Sequence, residues 1–259
     1  NNKETGEPLA FMSANLLSAA RTGAVPGVAA RHLARKDSEV VAVLGCGQIN
    51  KSCLRSILTQ LPNVKKIICY DIFEAAADKF VKWEKEEIGI DAVAEMDLEK
   101  AVKDADVLTV AASRLKPLYV KDEWLKEGVT VLITGPMQTD DSFWMSTKLI
   151  YDNVRLHEAY VQEAIDSGDK AGYYKGVIGG PIYTLIDAGK MPKLEDSTSI
   201  GEVILGEKAG RTDDKERITF VACGMATFDV GLGYDLYHTA LDKGIGTKLK
   251  LWDDPYQAK

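Results

Sequence analysis

Gly45, Gly47 and Asp71 are the residues whose types and spacing point most directly to chemistry. The two glycines sit in Val40-Val41-Ala42-Val43-Leu44-Gly45-Cys46-Gly47-Gln48-Ile49-Asn50. The apolar residues before the turn read as a buried parallel strand. After it, Ile49, Cys53, Ile57 and Leu61 recur every four residues, which marks one face of a helix. A strand, a glycine turn and a helix make the first half of a dinucleotide-binding βαβ unit. Gly45 permits the tight turn, Gly47 lets backbone N–H groups approach a pyrophosphate, and the helix N-terminus offers that phosphate a partial positive charge. Asn50 stands where the fingerprint has a third glycine, which weakens the motif. The next apolar run, Lys66-Ile67-Ile68-Cys69-Tyr70, ends at Asp71, 24 residues past Gly47. An acid there would hydrogen-bond ribose hydroxyls and repel a 2′-phosphate, favouring NAD over NADP. The alternative is an ordinary βα turn and a polar residue closing a strand.

Arg21 lies among small residues in Ser18-Ala19-Ala20-Arg21-Thr22-Gly23-Ala24. Such an arginine can grip a carboxylate through two parallel hydrogen bonds, although a surface arginine on a helix accounts equally for the local pattern. Ser113 follows the strand expected at 105–110, where ligands of open α/β sheets bind, or else caps a helix. Cys46, Cys53, Cys69 and Cys223 show no C-x-x-C spacing, and most lie in apolar runs, as buried reduced thiols of a cytoplasmic protein would. His32, His157 and His238 are scattered and form no metal pattern, so no metal site is expected.

The elements that must position these groups alternate. A helix is expected over 13–35, capped by Ser13 and interrupted at Pro26-Gly27. Strands are expected over 40–44, 66–70, 91–94, 105–110, 129–134, 149–151 and 217–222. Helices are expected after Gly47 and over 75–87, 98–105, 158–167 and 199–206. Residues 172–193 are rich in Gly and Tyr and carry no clear period. A long helix follows Cys223-Gly224, with Met225, Phe228, Leu232, Leu236 and Ala240 on one face and Gly244 at its end. This alternation indicates an α/β fold with a doubly wound parallel sheet. A net charge of −7 argues against a nucleic-acid surface, and no apolar run is long enough to span a membrane.

Taken together, the motifs resemble the ornithine cyclodeaminase/mu-crystallin family. The resemblance rests on Glu4-Thr5-Gly6-Glu7-Pro8-Leu9-Ala10, Arg21-Thr22-Gly23-Ala24, Gly45-Cys46-Gly47, Ala105-Asp106-Val107, Ser167-Gly168-Asp169, Gly201-Glu202-Val203, Gly206-Glu207-Lys208-Ala209-Gly210-Arg211-Thr212 and Gly224-Met225-Ala226 with Asp229. It implies an NAD-binding Rossmann domain over 36–222. It also implies a smaller substrate and dimerisation domain, only partly present, to which 1–35 and 223–259 contribute. The implied activity is that of an NAD-dependent oxidoreductase acting on the C–N bond of a small amino or imino acid, as a homodimer. True ornithine cyclodeamination and non-catalytic ligand binding of the mu-crystallin kind are the alternatives. By position, Arg21 would clamp the substrate carboxylate. Gly45, Cys46, Gly47, Gln48 and Ile49 would cradle the pyrophosphate, and Asp71 would hold the adenosine ribose. Ala112 and Ser113 would line the cofactor groove, and Cys223 and Gly224 would lie near nicotinamide and substrate.

The sequence departs from the family twice. Family members carry a further segment ahead of the equivalent of Asn2, which supplies strands of the substrate domain, a second carboxylate-binding Arg and a Lys near the reacting carbon. Ornithine cyclodeaminases also place an Asp, in a Gly-Asp-Cys-Pro-Gly-Lys setting, just after the strand matching 129–134. Met137 stands there in this sequence, leaving Asp140 and Asp141 as the nearby acids able to accept a proton from a substrate ammonium, or to act only as turn and cap.

Overall fold

The computed structural model describes residues 1–113 and 117–250. It contains two compact units, Ala19–Gly224 and a smaller one formed by Asn1–Ser18 with the segment from Met225 onward. The final residues expected in the returning tail, 251–259, lie outside the described residues. The helices are α1 (Asn15–Leu33), α2 (Gln48–Gln60), α3 (Glu74–Glu87), α4 (Leu98–Val102), α5 (Asp141–Ser146), α6 (Val154–Asp166), α7 (Lys170–Lys175), α8 (Gly180–Asp187), α9 (Ile200–Ile204) and α10 (Ala226–Asp242). The strands are β1 (Val40–Leu44), β2 (Lys66–Tyr70), β3 (Asp91–Ala94), β4 (Val107–Val110), β5 (Leu118–Tyr119), β6 (Thr130–Ile133), β7 (Met137–Gln138), β8 (Lys148–Tyr151), β9 (Thr198–Ser199) and β10 (Ile218–Val221).

Eight strands form one parallel sheet in the order β3-β2-β1-β4-β6-β10-β8-β9, while β5 and β7 make a separate parallel pair. The chain winds outward from β1 to β3 and then returns to place β4 on the other side of β1. That reversal opens a crevice at the carboxyl ends of β1 and β4. The last strand, β10, enters between β6 and β8, with Val221 beside both Ile133 and Tyr151. Residues following β10 therefore emerge next to residues following β8.

The central strands are apolar because both faces are covered. Ala42 and Leu44 point into a core shared with Trp144 and Tyr183. Val41 and Val43 point into the opposite core with Leu33, Leu54, Ile57 and Phe80. The face expected on α2 is realised in buried Cys53 and Ile57, with Leu61 buried just beyond its end.

The sequence expectation for α1 needs correction. The helix starts at Asn15 and runs unbroken through Pro26. An interior proline removes a hydrogen bond and costs roughly 3 kcal/mol in a free helix. Close packing offsets that cost here: a Cβ on Gly27 would lie 1.7 Å from Ser56 Oγ, and one on Gly23 would lie 2.4 Å from the Ser52 backbone. Gly27 is thus a contact residue against α2, and not a breaker. Residues 172–193 fold into α7 and α8, where a Cβ on Gly180 would fall 1.8 Å from the Tyr174 carbonyl oxygen. Contact through glycine explains the missing periodicity. Helix α6 starts at Val154, earlier than expected, because the Asn153 side chain caps it by accepting from the Arg155 N–H. Helix α10 buries none of its residues, and Phe228 and Leu236 on the expected apolar face are exposed.

Two polar clusters tie the opposite edge of the sheet. The Arg211 guanidinium donates to the carbonyls of Leu33 (2.8 Å), Asp213 (3.1 Å), Glu216 and Gly128 (3.2 Å) and to the Thr130 hydroxyl (3.0 Å). The buried Asp106 carboxylate accepts the amides of Glu39 (2.8 Å) and Val40 (2.9 Å) and pairs with Arg35 and Lys126, each at 2.8 Å. Burial opposes ionisation of Asp106, but the Lys126 ammonium and the two amides outweigh it and hold the carboxyl below its usual range. A depressed carboxyl stabilises the fold above its unfolded pKa of about 4, and that stability drains away as pH falls through the lower folded value. Asp106→Asn is therefore expected to unfold roughly 2 kcal/mol more easily at neutral pH. It should also lose less stability than the parent on acidification below about pH 4, as read from denaturant titrations across that range.

Candidate active site

The β1–α2 turn closes because Gly45 adopts φ +93° and presses onto the end of β4. A Cβ there would stand 2.8 Å from Ala112 Cα, so any side chain would push the turn off the sheet. Asn50, one turn into α2, fastens this contact. Its fully buried side-chain amide donates to the Leu44 (2.9 Å) and Gly45 (2.7 Å) carbonyls, while its oxygen accepts from the Thr109 hydroxyl (2.9 Å). The residue replacing the third glycine thus replaces close packing by hydrogen bonds between β1, the turn and β4.

Gly47 caps α2 without a side-chain hydrogen bond, and a Cβ on it would point into open space. Asp71 ends β2, with Oδ2 accepting the Cys46 N–H (2.8 Å) and Oδ1 the Phe73 N–H (3.1 Å). Its carboxylate is thereby fixed beside the glycine turn. The neighbouring Cys69 thiol and burial push the Cys46 thiol far up, so it stays protonated and is no nucleophile.

One cavity of about 370 Å³ is lined by Gly45, Cys46, Gly47, Gln48, Ile49, Asp71, Ala112 and Ser113, every one of the expected cofactor residues. Its wall also includes Ile72, Phe73 and Leu118, which sequence reasoning missed. The signal for Phe73 was its place two residues after the strand-end acid; it is exposed on the wall of the groove beside exposed Ile72. An uncapped helix N-terminus, a glycine opening onto free space and a strand-end carboxylate on one groove suit a dinucleotide.

The same edge of the sheet brings Arg21 and Gly224 together. Gly224 has φ +82°, and a Cβ on it would lie 2.9 Å from an Arg21 terminal nitrogen. Cys223 and Gly224 donate their amides to Asp152 Oδ2 at 2.9 and 3.0 Å. Burial, then the Asp152 charge, pushes the Cys223 thiol up to about 12, which keeps it neutral. From β1 through β4 and β6 to β10 is three strand spacings, about 14 Å, so Arg21 and the glycine turn serve one edge at two ends.

Asp140 and Asp141 are not brought to this groove. Asp140 accepts from the Tyr119 hydroxyl and the Asp122 N–H (2.8 Å), and these bonds hold its carboxyl below the usual range. It lines a separate cavity with Lys121, Asp122 and Arg217. Asp141 opens α5 and pairs with Lys190 at 3.4 Å. Asp140 and Asp141 thus have Tyr119, Asp122 and Lys190 as partners, and neither lines the Gly45–Asp71 groove. Met137, at the position of the cyclodeaminase acid, is 2% exposed and packs in the core.

The strand order, glycine turn and placed acid define a dinucleotide-binding α/β protein of the doubly wound class. The chain belongs to the ornithine cyclodeaminase/mu-crystallin family, whose sequence model matches residues 1–244. It is 34% identical over 260 residues to the alanine dehydrogenase of Archaeoglobus fulgidus, covering 97% of this chain and 72% of that one. Among solved structures it resembles the Thermococcus litoralis Delta(1)-pyrroline-2-carboxylate reductase in complex with NADH and L-proline. That match has a TM-score of 0.81 and 27% identity, over 96% of this chain and 72% of the other. An archaeal alanine dehydrogenase dimer with bound NAD matches with a TM-score of 0.78 and 32% identity, over 97% and 73%.

Two variants probe the groove. Asn50→Leu keeps the volume but strands two carbonyls and a hydroxyl; it should cost roughly 3 kcal/mol of stability and weaken NADH binding, both measurable by thermal shift with and without NADH. Asp71→Ser should narrow the preference for NADH over NADPH, read as the ratio of the two dissociation constants.

Proposed function

We propose that this chain provides the dinucleotide site and the carboxylate clamp of an NAD-dependent oxidoreductase acting on the C–N bond of a small amino or imino acid. The observation carrying this reading is the convergence of Arg21 on Gly224 at the same strand edge that bears the Gly45–Asp71 groove. Arg21 grips the substrate carboxylate bidentately, and this fixes the orientation of the α-carbon. The amides opening α2 receive the pyrophosphate, Asp71 takes the ribose hydroxyls, and exposed Ile72 and Phe73 offer an apolar face to the adenine. An NAD held by these residues would supply the hydride chemistry, and Arg21 would hold the α-carbon in place for it. Closely similar proteins that act on alanine and on pyrroline-2-carboxylate support this substrate class. Buried Met137 and the engaged Asp140 and Asp141 weigh against ornithine cyclodeamination. A homodimer belongs to the same reading, supported by the dimeric archaeal alanine dehydrogenase.

The test is NADH absorbance with the full-length protein, offered cyclic imines carrying a carboxylate and 2-oxo acids with ammonium, beside ornithine with NAD. Oxidation of NADH by one imino acid or oxo-acid mixture, without proline from ornithine, is the expected result. Proline and ammonia from ornithine with no net NADH change would restore the cyclodeaminase reading, and NADH binding without any turnover would leave a ligand-binding protein. In the active enzyme, Arg21→Ala should raise KM and lower kcat/KM about 100-fold, the loss of a charged two-point hydrogen bond, with NADH affinity unchanged.

A further inference from the structure

Beneath the Cys223–Gly224 turn lies a chain of buried polar side chains that the reaction itself does not call for. Asp152 directly follows β8, and because β8 and β10 run in register, its carboxylate meets the backbone that follows β10. It receives four hydrogen bonds: Oδ2 accepts the amides of Cys223 (2.9 Å) and Gly224 (3.0 Å), and Oδ1 accepts the Asn153 amide (2.8 Å) and His157 Nε2–H (3.0 Å). The Tyr183 hydroxyl meets the other ring nitrogen of His157, Nδ1, at 2.6 Å. His157 and Tyr183 are both 0% exposed, and the His157 ring packs edge-on against Tyr151.

A buried ionised carboxylate is costly unless every lone pair is met, and a neutral amide acceptor would hold two backbone N–H groups more cheaply. The arrangement is directional: both amides that Oδ2 holds belong to the turn carrying the left-handed Gly224, against which Arg21 rests. We propose that Asp152 is a positioning residue for the substrate end of the site, its carboxylate aligned by His157 and Tyr183 so as to hold the Cys223–Gly224 turn, and through it Arg21, in the geometry that grips a carboxylate. This rests on the carboxylate-clamp reading of Arg21. Asp152 touches no reacting atom; it acts through the turn.

The experiment compares Asp152→Asn, Tyr183→Phe, His157→Gln and His157→Leu with the parent in the full-length protein. Gln keeps a donor near the position of Nε2, whereas Leu removes it. Amide hydrogen exchange of Cys223 and Gly224 reads the turn without any substrate, and steady-state kinetics read the clamp. In Asp152→Asn one oxygen remains for four donors, so either the two turn amides or the Asn153 amide and His157 Nε2 face an NH2 group, and the alignment is lost in both orientations. The substitution should speed exchange of the turn amides at least tenfold and lower kcat/KM for the imino acid about 100-fold, chiefly through KM, with the NADH dissociation constant held within about twofold. Tyr183→Phe should give a smaller change in the same direction, and His157→Gln should retain more activity than His157→Leu. Unchanged exchange and KM in folded Asp152→Asn would overturn the proposal. So would losses in which NADH affinity falls in step with KM. Should Asp152→Asn fail to fold, Tyr183→Phe decides alone, and parental exchange and KM in that variant would overturn it. A parent without turnover, yet with turn amides released by the variants, would refute the clamp reading of Arg21 while leaving the hold of Asp152 on the turn established.

Discussion

The close approach of the β1–α2 turn to the end of β4 is the constraint on which the rest depends. A left-handed glycine lets the backbone reach Ala112, and the buried Asn50 amide converts that proximity into hydrogen bonds with both partners. Once the turn is pinned, the first amides of α2 face outward, Cys46 can donate to Asp71, and β2 ends where its acid meets the same groove. The dinucleotide groove is thus a by-product of how two parallel strands and one helix pack.

Carboxylates organise both edges of the sheet by accepting backbone amides. Asp106 anchors the start of β1 beside the start of β4, Asp71 ties the end of β2 to the glycine turn, and Asp152 ties the end of β8 to the turn after β10. The difference lies in what surrounds them. Cations pair with Asp106, whereas among the described residues Asp152 is met by amides and a histidine. A lysine or arginine at the foot of the substrate end would compete with Arg21 for an incoming carboxylate, so backbone amides suit that place better.

Much of this was legible from residue order. The apolar runs of β1, β2, β4, β6 and β10 are continuous because both faces are buried, and such runs are the strongest strand signal a sequence carries. The glycine turn and Asp71 belong to one local unit, so spacing alone linked them. The expectation failed where packing replaced pattern. Pro26-Gly27 looks like a helix break until Ser56 is seen to fill the space a Cβ would take, and α7 and α8 meet through Gly180 and so show no apolar stripe. Asp140 and Asp141 looked available because their partners, Tyr119, Asp122 and Lys190, lie elsewhere in the sequence. The Asp152–His157–Tyr183 chain was hidden for the same reason: adjacency of β8 and β10 follows from a strand inserted out of order, which no local window reports.

The Arg211 guanidinium carries a temporal consequence. Its bond to the Leu33 carbonyl joins residues 178 apart in sequence, and its other acceptors include Gly128 and Thr130. As the chain leaves the ribosome, β1 to β4 have all been made well before Arg211. The carbonyls that Arg211 will collect stay bound to water until nearly the whole larger unit has been made. The clamp can therefore close the C-terminal end of α1 onto the entry to β6 only after the chain has been made as far as Arg211.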